Sequence, residues 1–407
     1  ETTVSFLMTL PAVTPPRKMA IRARIINLPG RYRRAIVIDN TLNSNTLTDY
    51  QVLIHMDTAS LISGGKMRSD CGDIRFTDSD GETLLSYWIE GGCNTGGTRI
   101  WVKVPTIPAS STKTIYVYYG NPNATSASNG DATFDFFDDF EGTSLDTTKW
   151  VAYANSYSVS NSVLRVNIGG IERTSAFPFN IQDGYMVETK VIHYTSAGGY
   201  GGVLPEVASS PFTASGNANA NATILYMRQV GSATVYYWIG NGASASYNVA
   251  NGASTGWTSS NNVWYITGIS VRGGEVKLWR DGTAIVTVTG ITWYKNLKYV
   301  KLGSFHRNAA YDIQDTGYDW IRVRKYTSPE PTANVGAEET GVYTFEYNWL
   351  YRRAIVIDNT LNSNTLTDYQ VLIHMDTASL ISGGKMRSDC GDIRFTDSDG
   401  ETLLSYW

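Results

Sequence analysis

Asp73-Ile74-Arg75-Phe76-Thr77-Asp78-Ser79-Asp80-Gly81-Glu82-Thr83-Leu84-Leu85-Ser86-Tyr87-Trp88-Ile89-Glu90 sets the fold class of this chain. Two runs rich in β-branched and aromatic residues, 74–77 and 83–89, flank the tetrapeptide Asp78-Ser79-Asp80-Gly81. Asp-Gly between alternating runs is a strong hairpin signal, because glycine takes the positive φ of the turn without a Cβ clash. The carboxylates of Asp78, Asp80 and Glu82 also suggest a calcium loop. The remaining spaced ligands and the distant bidentate Glu of such a loop are missing, so turn chemistry is the expectation.

Working outward, residues 35–38, 50–56, 99–104 and 113–119 have the same strand character, with Tyr50, Val52, Ile54 and Met56 on one face. Residues 32–120 therefore read as a small antiparallel β-sandwich. Residues 121–133, rich in Asn, Ser, Pro and Gly, read as a linker. Residues 134–326 give many more short strands, with hairpin turns at Gly273-Gly274 and Asp281-Gly282, and read as one larger jelly-roll sandwich. Pro329, Pro331 and the pair Glu338-Glu339 mark 327–350 as a second linker, and residues 1–31 form a strand-like extension around a proline-rich stretch. Composition agrees: among 407 residues, 12% are aromatic and 38 are Gly, against only 17% charged, which favours strands and turns over helices. The fold class expected is all-β.

Residues 32–88 recur, residue for residue, as 351–407, a shift of 319 (351 − 32). The expected architecture is a tandem repeat whose second, partial copy is completed by further chain or by a neighbour, since half a sandwich leaves open edges in water. Cys71 and Cys93 lie in one sandwich and Cys390 duplicates Cys71 (390 − 319 = 71). A Cys71–Cys93 disulfide in an oxidising compartment is the reading, with three buried free thiols as the alternative.

The run 73–90, with Ile115-Tyr116-Val117-Tyr118-Tyr119-Gly120-Asn121-Pro122, resembles the DUF2341 domain, a domain of unknown function found in archaeal surface proteins. Residues 134–326 resemble a concanavalin-like or laminin-G-like jelly roll through Phe137-Asp138-Asp139-Phe140-Glu141-Gly142, Lys149-Trp150, Leu278-Trp279-Arg280-Asp281-Gly282 and Tyr318-Asp319-Trp320-Ile321-Arg322-Val323. That resemblance implies a structural Ca²⁺ between Asp139 and Asp319, the alternative being ordinary surface carboxylates.

Other sites are sparse. Glycosidases of this fold carry paired carboxylates on one strand, and no Glu-x-Asp-x-x-Glu run occurs here. Gly252-Ala253-Ser254-Thr255-Gly256 fits the Gly-x-Ser-x-Gly spelling without the strand-to-helix context of a nucleophile elbow, and the four His residues, His374 duplicating His55, have no neighbours at metal spacing. The expectation is no enzymatic activity. Trp238, Trp257 and Trp293 lie near turns, where aromatic faces could stack on sugars, although core packing is the default for such residues. Asn123-Ala124-Thr125 and Asn221-Ala222-Thr223 fit the glycosylation acceptor pattern, so Asn123 and Asn221 are the expected sites.

With 33 Lys and Arg against 37 Asp and Glu, the net charge of −4 gives no general attraction to nucleic acid. No apolar run is long enough to span a bilayer. Together these features point to an extracellular, cell-surface structural protein: a subunit of a filament or surface array that partners itself head to tail, with an N-terminal strand adding to a neighbour's sheet. The alternative is an adhesin that binds surface glycans through the jelly roll.

Overall fold

The computed structural model describes residues 30–153, 156–194, 200–211, 222–229, 233–243, 247–303, 315–339, 351, 353–398 and 403–407. The strand-like extension lies, up to residue 29, outside the described residues. The protein is all-β, with antiparallel sheets throughout.

The first sandwich holds β1 (Tyr32–Asp39), β2 (Leu47–Met56), helix α1 (Thr58–Ser63), β3 (Arg75–Thr77), β4 (Leu84–Leu85), β5 (Tyr87–Gly91), β6 (Thr98–Ile107) and β7 (Thr112–Tyr119). The expected 83–89 strand is divided at Ser86. Its first part, β4, pairs with β3 in one sheet, and its second part, β5, crosses to pair with β6 in the other. The hairpin turn itself forms, with Gly81 at φ 74 and its N–H donating to the Asp78 carbonyl. Asp80 Oδ1 accepts from the backbone N–H groups of Glu82 and Thr83, so this carboxylate caps the turn. Between the sheets Ile36, Ile38, Ile54, Phe76, Ile100, Val102, Ile115 and Val117 are fully buried, each worth about 1.5–3 kcal/mol of burial.

The second sandwich follows helix α2 (Gly130–Thr133). It comprises β8 (Phe136–Asp138), β9 (Trp150–Ala152), β10 (Ser156–Ser160), β11 (Val163–Ile168), β12 (Gly170–Arg173), β13 (Asp183–His193), β14 (Tyr200–Ala208), β15 (Ala222–Gln229), β16 (Thr234–Asn241), β17 (Ala250–Thr258), β18 (Trp264–Arg272), β19 (Glu275–Arg280), β20 (Thr283–Val288), β21 (Tyr299–Gly303) and β22 (Thr316–Lys325). One sheet has the order β10-β11-β22-β13-β18-β19-β20 with β8 also on β22; the facing sheet runs β17-β16-β15-β14-β21-β12-β9.

Parts of both segments read as linkers are built into the structure, residues 340–350 lying outside the described ones. The 121–133 stretch ends in α2, whose N-cap Asn129 accepts from Ala132 N–H. In the 327–350 stretch, β23 (Thr332–Glu338) returns to the first sandwich and adds to β1, giving the sheet order β23-β1-β7-β3-β4. Ala333 and Val335 pack on the first core. Glu338 receives Lys66 at 2.6 Å and the Tyr119 hydroxyl at 2.8 Å. The paired glutamates that read as linker polarity are clasps.

The two sandwiches meet over an aromatic cluster of Trp88, Trp101, Phe134, Phe137 and Trp320, all at most 8% exposed. Under it runs a charged chain. Arg322 gives Nη1 to Glu90 (2.6 Å) and Nε to Glu188 (2.8 Å); Arg324 gives Nε to Glu188 (2.8 Å) and Nη1 to Glu330 (2.5 Å). Arg322 also stacks over Trp101 and Trp320, at 4.4 Å to each ring centre.

The duplicated segment, described over 351, 353–398 and 403–407, carries helix α3 (Thr377–Ser382) and the two-residue pair β24 (Phe395–Thr396) with β25 (Leu403–Leu404).

Candidate functional site

In the sheet containing β14, Ile171, Val300, Val207, Ile224 and Ile239 face the core. Alternation therefore sends Glu172, Lys301, Glu206, Leu225 and Trp238 to the opposite face. Register aligns them in one row: Glu172 opposite Lys301, Lys301 opposite Glu206, Glu206 opposite Leu225, Leu225 opposite Trp238. Although they point away from the core, Glu172, Lys301 and Glu206 are only 6%, 5% and 3% exposed.

Lys301 Nζ lies 3.5 Å from Glu206 Oε1, to which Thr223 donates its hydroxyl at 3.4 Å. Burial, then the charge of Glu206, pushes the Tyr247 hydroxyl well above its ordinary pKa. At the end of the row Trp238 is half-buried, its ring centre 6.3 Å from that of Tyr236. Gly252, at φ 68, lies against the indole: a Cβ there would meet Cζ2 and Nε1 at 3.4 Å. The face thus combines a buried acid–lysine–acid row with two aromatic rings open to one side. By strand spacing the backbones of Glu172 and Glu206 stand about 10 Å apart. Lys301 stands between them and holds Glu206 in an ion pair.

No sequence motif could display this row, because its members come from three strands at positions 172, 206 and 301. The available signal was a charged residue inside an apolar strand, as in Ile171-Glu172, Glu206-Val207 and Val300-Lys301-Leu302.

Of the aromatic residues singled out from the sequence, only Trp238 is on this face. Trp257 is 6% exposed in the core, and Trp293 packs on the core with its N–H on the Gly273 carbonyl. Asp139 follows β8 and Asp319 is on β22, the strand that β8 pairs with. Burial, then Glu141 and Asp138, raise the Asp139 carboxyl, while Asp319 is taken by Lys190 Nζ at 2.5 Å. A carboxylate already neutralised by an ammonium does not suit a Ca²⁺ ligand set. Among the described residues no three His, Cys, Asp or Glu side chains gather to hold a metal ion.

Cys71 and Cys93 are joined by a disulfide, Cα atoms 6.1 Å apart, and Cys390 is a free thiol. Asn123 is exposed; Asn221 lies outside the described residues. His193 is fully buried, its ring brought down to about 3 by desolvation and then Arg228, with Nδ1 3.2 Å from Thr316 Oγ1. No helix among the described residues is long and apolar enough to cross a membrane.

Residues 70–153 match the domain of unknown function DUF2341. The match begins inside the first sandwich and runs through the junction to β9, so it contains the disulfide, Glu90 and four of the five clustered aromatics. No curated protein matches the chain. Solved structures similar to it include an endo-β-1,3-glucanase from Pyrococcus furiosus: 14% identity, 48% of this chain, 95% of that one, TM-score 0.35. A non-specific endo-β-1,3(4)-glucanase from family GH16 gives 15%, 47%, 90% and 0.36. An immunostimulatory antigen and pseudo β-1,3-glucanase of Mycobacterium tuberculosis gives 13%, 49%, 100% and 0.36.

The second sandwich, two facing antiparallel sheets, is consistent with a jelly-roll architecture. These neighbours also correct the expectation that the chain is not an enzyme. Two of them are named glucanases and the third a pseudo β-1,3-glucanase. Likeness at this identity concerns the fold.

Proposed function

We propose that residues 32–338 are one closed unit of an extracellular structural array, repeated along or between chains. The observation that carries this reading is the return of β23 to β1. The unit's entry and exit strands lie side by side, Arg34 opposite Glu338, and an identical sequence begins again at residue 351. A body closed on itself, fixed at its waist by the Arg322–Glu188–Arg324 chain, suits serial repetition because each unit buries its own core. Electron microscopy of the purified chain tests it: filaments or sheets of regular spacing support the reading, and dispersed particles at all concentrations overturn it.

A second reading is favoured by the face around Trp238, where two rings lie beside buried carboxylates. There the second sandwich engages a glycan, the rings stacking on sugar faces. Binding to a polysaccharide panel that survives in Trp238→Ala removes this reading. Export, with glycosylation at Asn123 and Asn221, belongs to the same proposal and is read by mass of the native material.

A further inference from the structure

The core-facing positions of the second sandwich turn polar together at one end. Along β13 they run Val187, Thr189, Val191, His193, and along β18, read toward the same end, Val271, Ile269, Thr267, Tyr265. In the facing sheet β15 runs Ile224, Tyr226, Arg228, while β19, beside β18, runs Val276, Leu278, Arg280. A period of two puts each of these last residues on the same face as the apolar ones before it. Trp257 of β17 links the two sheets there, its ring centre 6.3 Å from that of Tyr226 and 4.9 Å from that of Tyr265.

Six buried polar atoms at this end have no hydrogen-bond partner among the described residues: His193 Nε2, Tyr226 Oη, Arg228 Nε, Ser259 Oγ, Thr267 Oγ1 and Arg280 Nε. All of these residues except Arg280 are at most 3% exposed. The two guanidinium atoms can only donate, and the three hydroxyls turn to suit a partner. With the Thr316 hydroxyl donating to His193 Nδ1, 3.2 Å away, Nε2 carries the proton and joins the donors.

Charge points the same way. Burial lowers the Arg228 guanidinium, and only Tyr265 opposes it; among the described residues no carboxylate pairs with Arg228. At Arg280, Asp281 Oδ2 stands 3.9 Å from Nε, and its Oδ1 accepts from the Ile266 N–H. Ordered water can satisfy hydroxyls, but it leaves a buried guanidinium without a counter-charge. Clustered donors with positive charge and no acceptor of their own suit a negatively charged oxygen group, which accepts several such bonds at once.

We propose that this end of the second sandwich binds a small oxyanion, a carboxylate, sulfate or phosphate group held by Arg228 and Arg280 and by the hydroxyls of Tyr226, Ser259 and Thr267. The site lies between the sheets, whereas Glu172, Lys301 and Glu206 occupy the outer face of one of them, so it depends on neither the array nor the glycan reading.

Calorimetric titration of the full-length chain with sodium sulfate, sodium phosphate and sodium glucuronate, each against sodium chloride at equal ionic strength, tests the proposal. The expected result is one saturable site, weakened about tenfold or more in Arg228→Gln and in Arg280→Gln, the worth of one hydrogen bond to a charged group. The Arg280 side chain is 40% exposed, so Arg280→Gln carries the test even if Arg228→Gln does not fold. Thermal unfolding gives a second readout: sulfate stabilises folded proteins in general, so the expected sign is a larger gain in the parent than in either variant. Tighter binding of glucuronate than of the inorganic ions identifies an acidic sugar as the source of the group, and the reverse identifies the free ion. No saturable heat with any of the three salts, or equal affinity in the parent and a folded variant, overturns the proposal.

Discussion

Replacing Glu188 by Gln attacks the joint between the sandwiches at its centre. The Glu188 side chain is 8% exposed and accepts from Arg322 and Arg324, themselves 0% and 3% exposed. Burial alone would raise its carboxyl; the two guanidiniums more than reverse that and hold it at about 2, against an ordinary 4.5. The gap from 4.5 to about 2, at 1.36 kcal/mol per pH unit, is worth about 3 kcal/mol to the folded protein. Removing one partner of a buried pair costs about 3–5 kcal/mol. Arg322 keeps Glu90 and Arg324 keeps Glu330, which puts the expected loss at the lower end, about 3 kcal/mol at pH 7.

Because the folded value lies below the unfolded one, this stabilisation is complete above about pH 4.5 and is lost as pH falls toward 2. Glu188→Gln therefore flattens that part of the stability profile as well as lowering its plateau. Urea unfolding followed by tryptophan emission is suited to it, since Trp88, Trp101 and Trp320 surround the network. A loss below about 1 kcal/mol at pH 7, the level of an exposed pair, with an unchanged slope between pH 2 and 4.5 refutes the reasoning.

Gly303→Ala should cost about 2–3 kcal/mol in the same assay, because φ is +109 there and the new Cβ would lie 2.5 Å from Gly170 Cα; a neutral result means that the β12–β21 contact is looser than described. Cys93→Ala opens a disulfide spanning 22 residues and should lower stability by about 3 kcal/mol, reported by the shift in urea midpoint under non-reducing conditions. Trp238→Ala should leave unfolding nearly unchanged while weakening glycan binding by about threefold to tenfold, the worth of one ring contact; equal affinity in titration calorimetry counts against the sheet face as the binding surface.

Much of the fold was legible because strand periodicity and turn glycines are local signals. Asp281-Gly282, with φ values of 47 and 78, forms the turn that its sequence announces. The return of β23 was not legible, since Thr332-Ala333-Asn334-Val335-Gly336-Ala337-Glu338 is small, polar and preceded by prolines. Only its pairing with β1, some three hundred residues earlier in sequence, makes it a strand. The division of 83–89 between two sheets was hidden for a related reason: an alternating run does not say which sheet each half joins. The Glu172–Lys301–Glu206 row is a product of register across three strands, and no single stretch of chain contains it. The sequence did mark Trp238, but could not separate it from Trp257, because which face of a strand meets the core is decided by packing across the sheets.

The pairing of β1 with β23 also decides how the unit answers to tension. Residue 32 and residue 338 sit at the same end of one antiparallel ladder, so a pull along successive units peels the two strands apart rung by rung instead of shearing all rungs together. The first rung is the reinforced one, clasped by Arg33 with Glu339 and by Lys66 and Tyr119 with Glu338. Once that clasp gives way, residues 327–338 can pay out about 40 Å of slack at the reach of extended chain, after which the load passes through β22 to the junction between the sandwiches. The edge strand would then act as a mechanical fuse, lengthening under load and rezipping when the load is released.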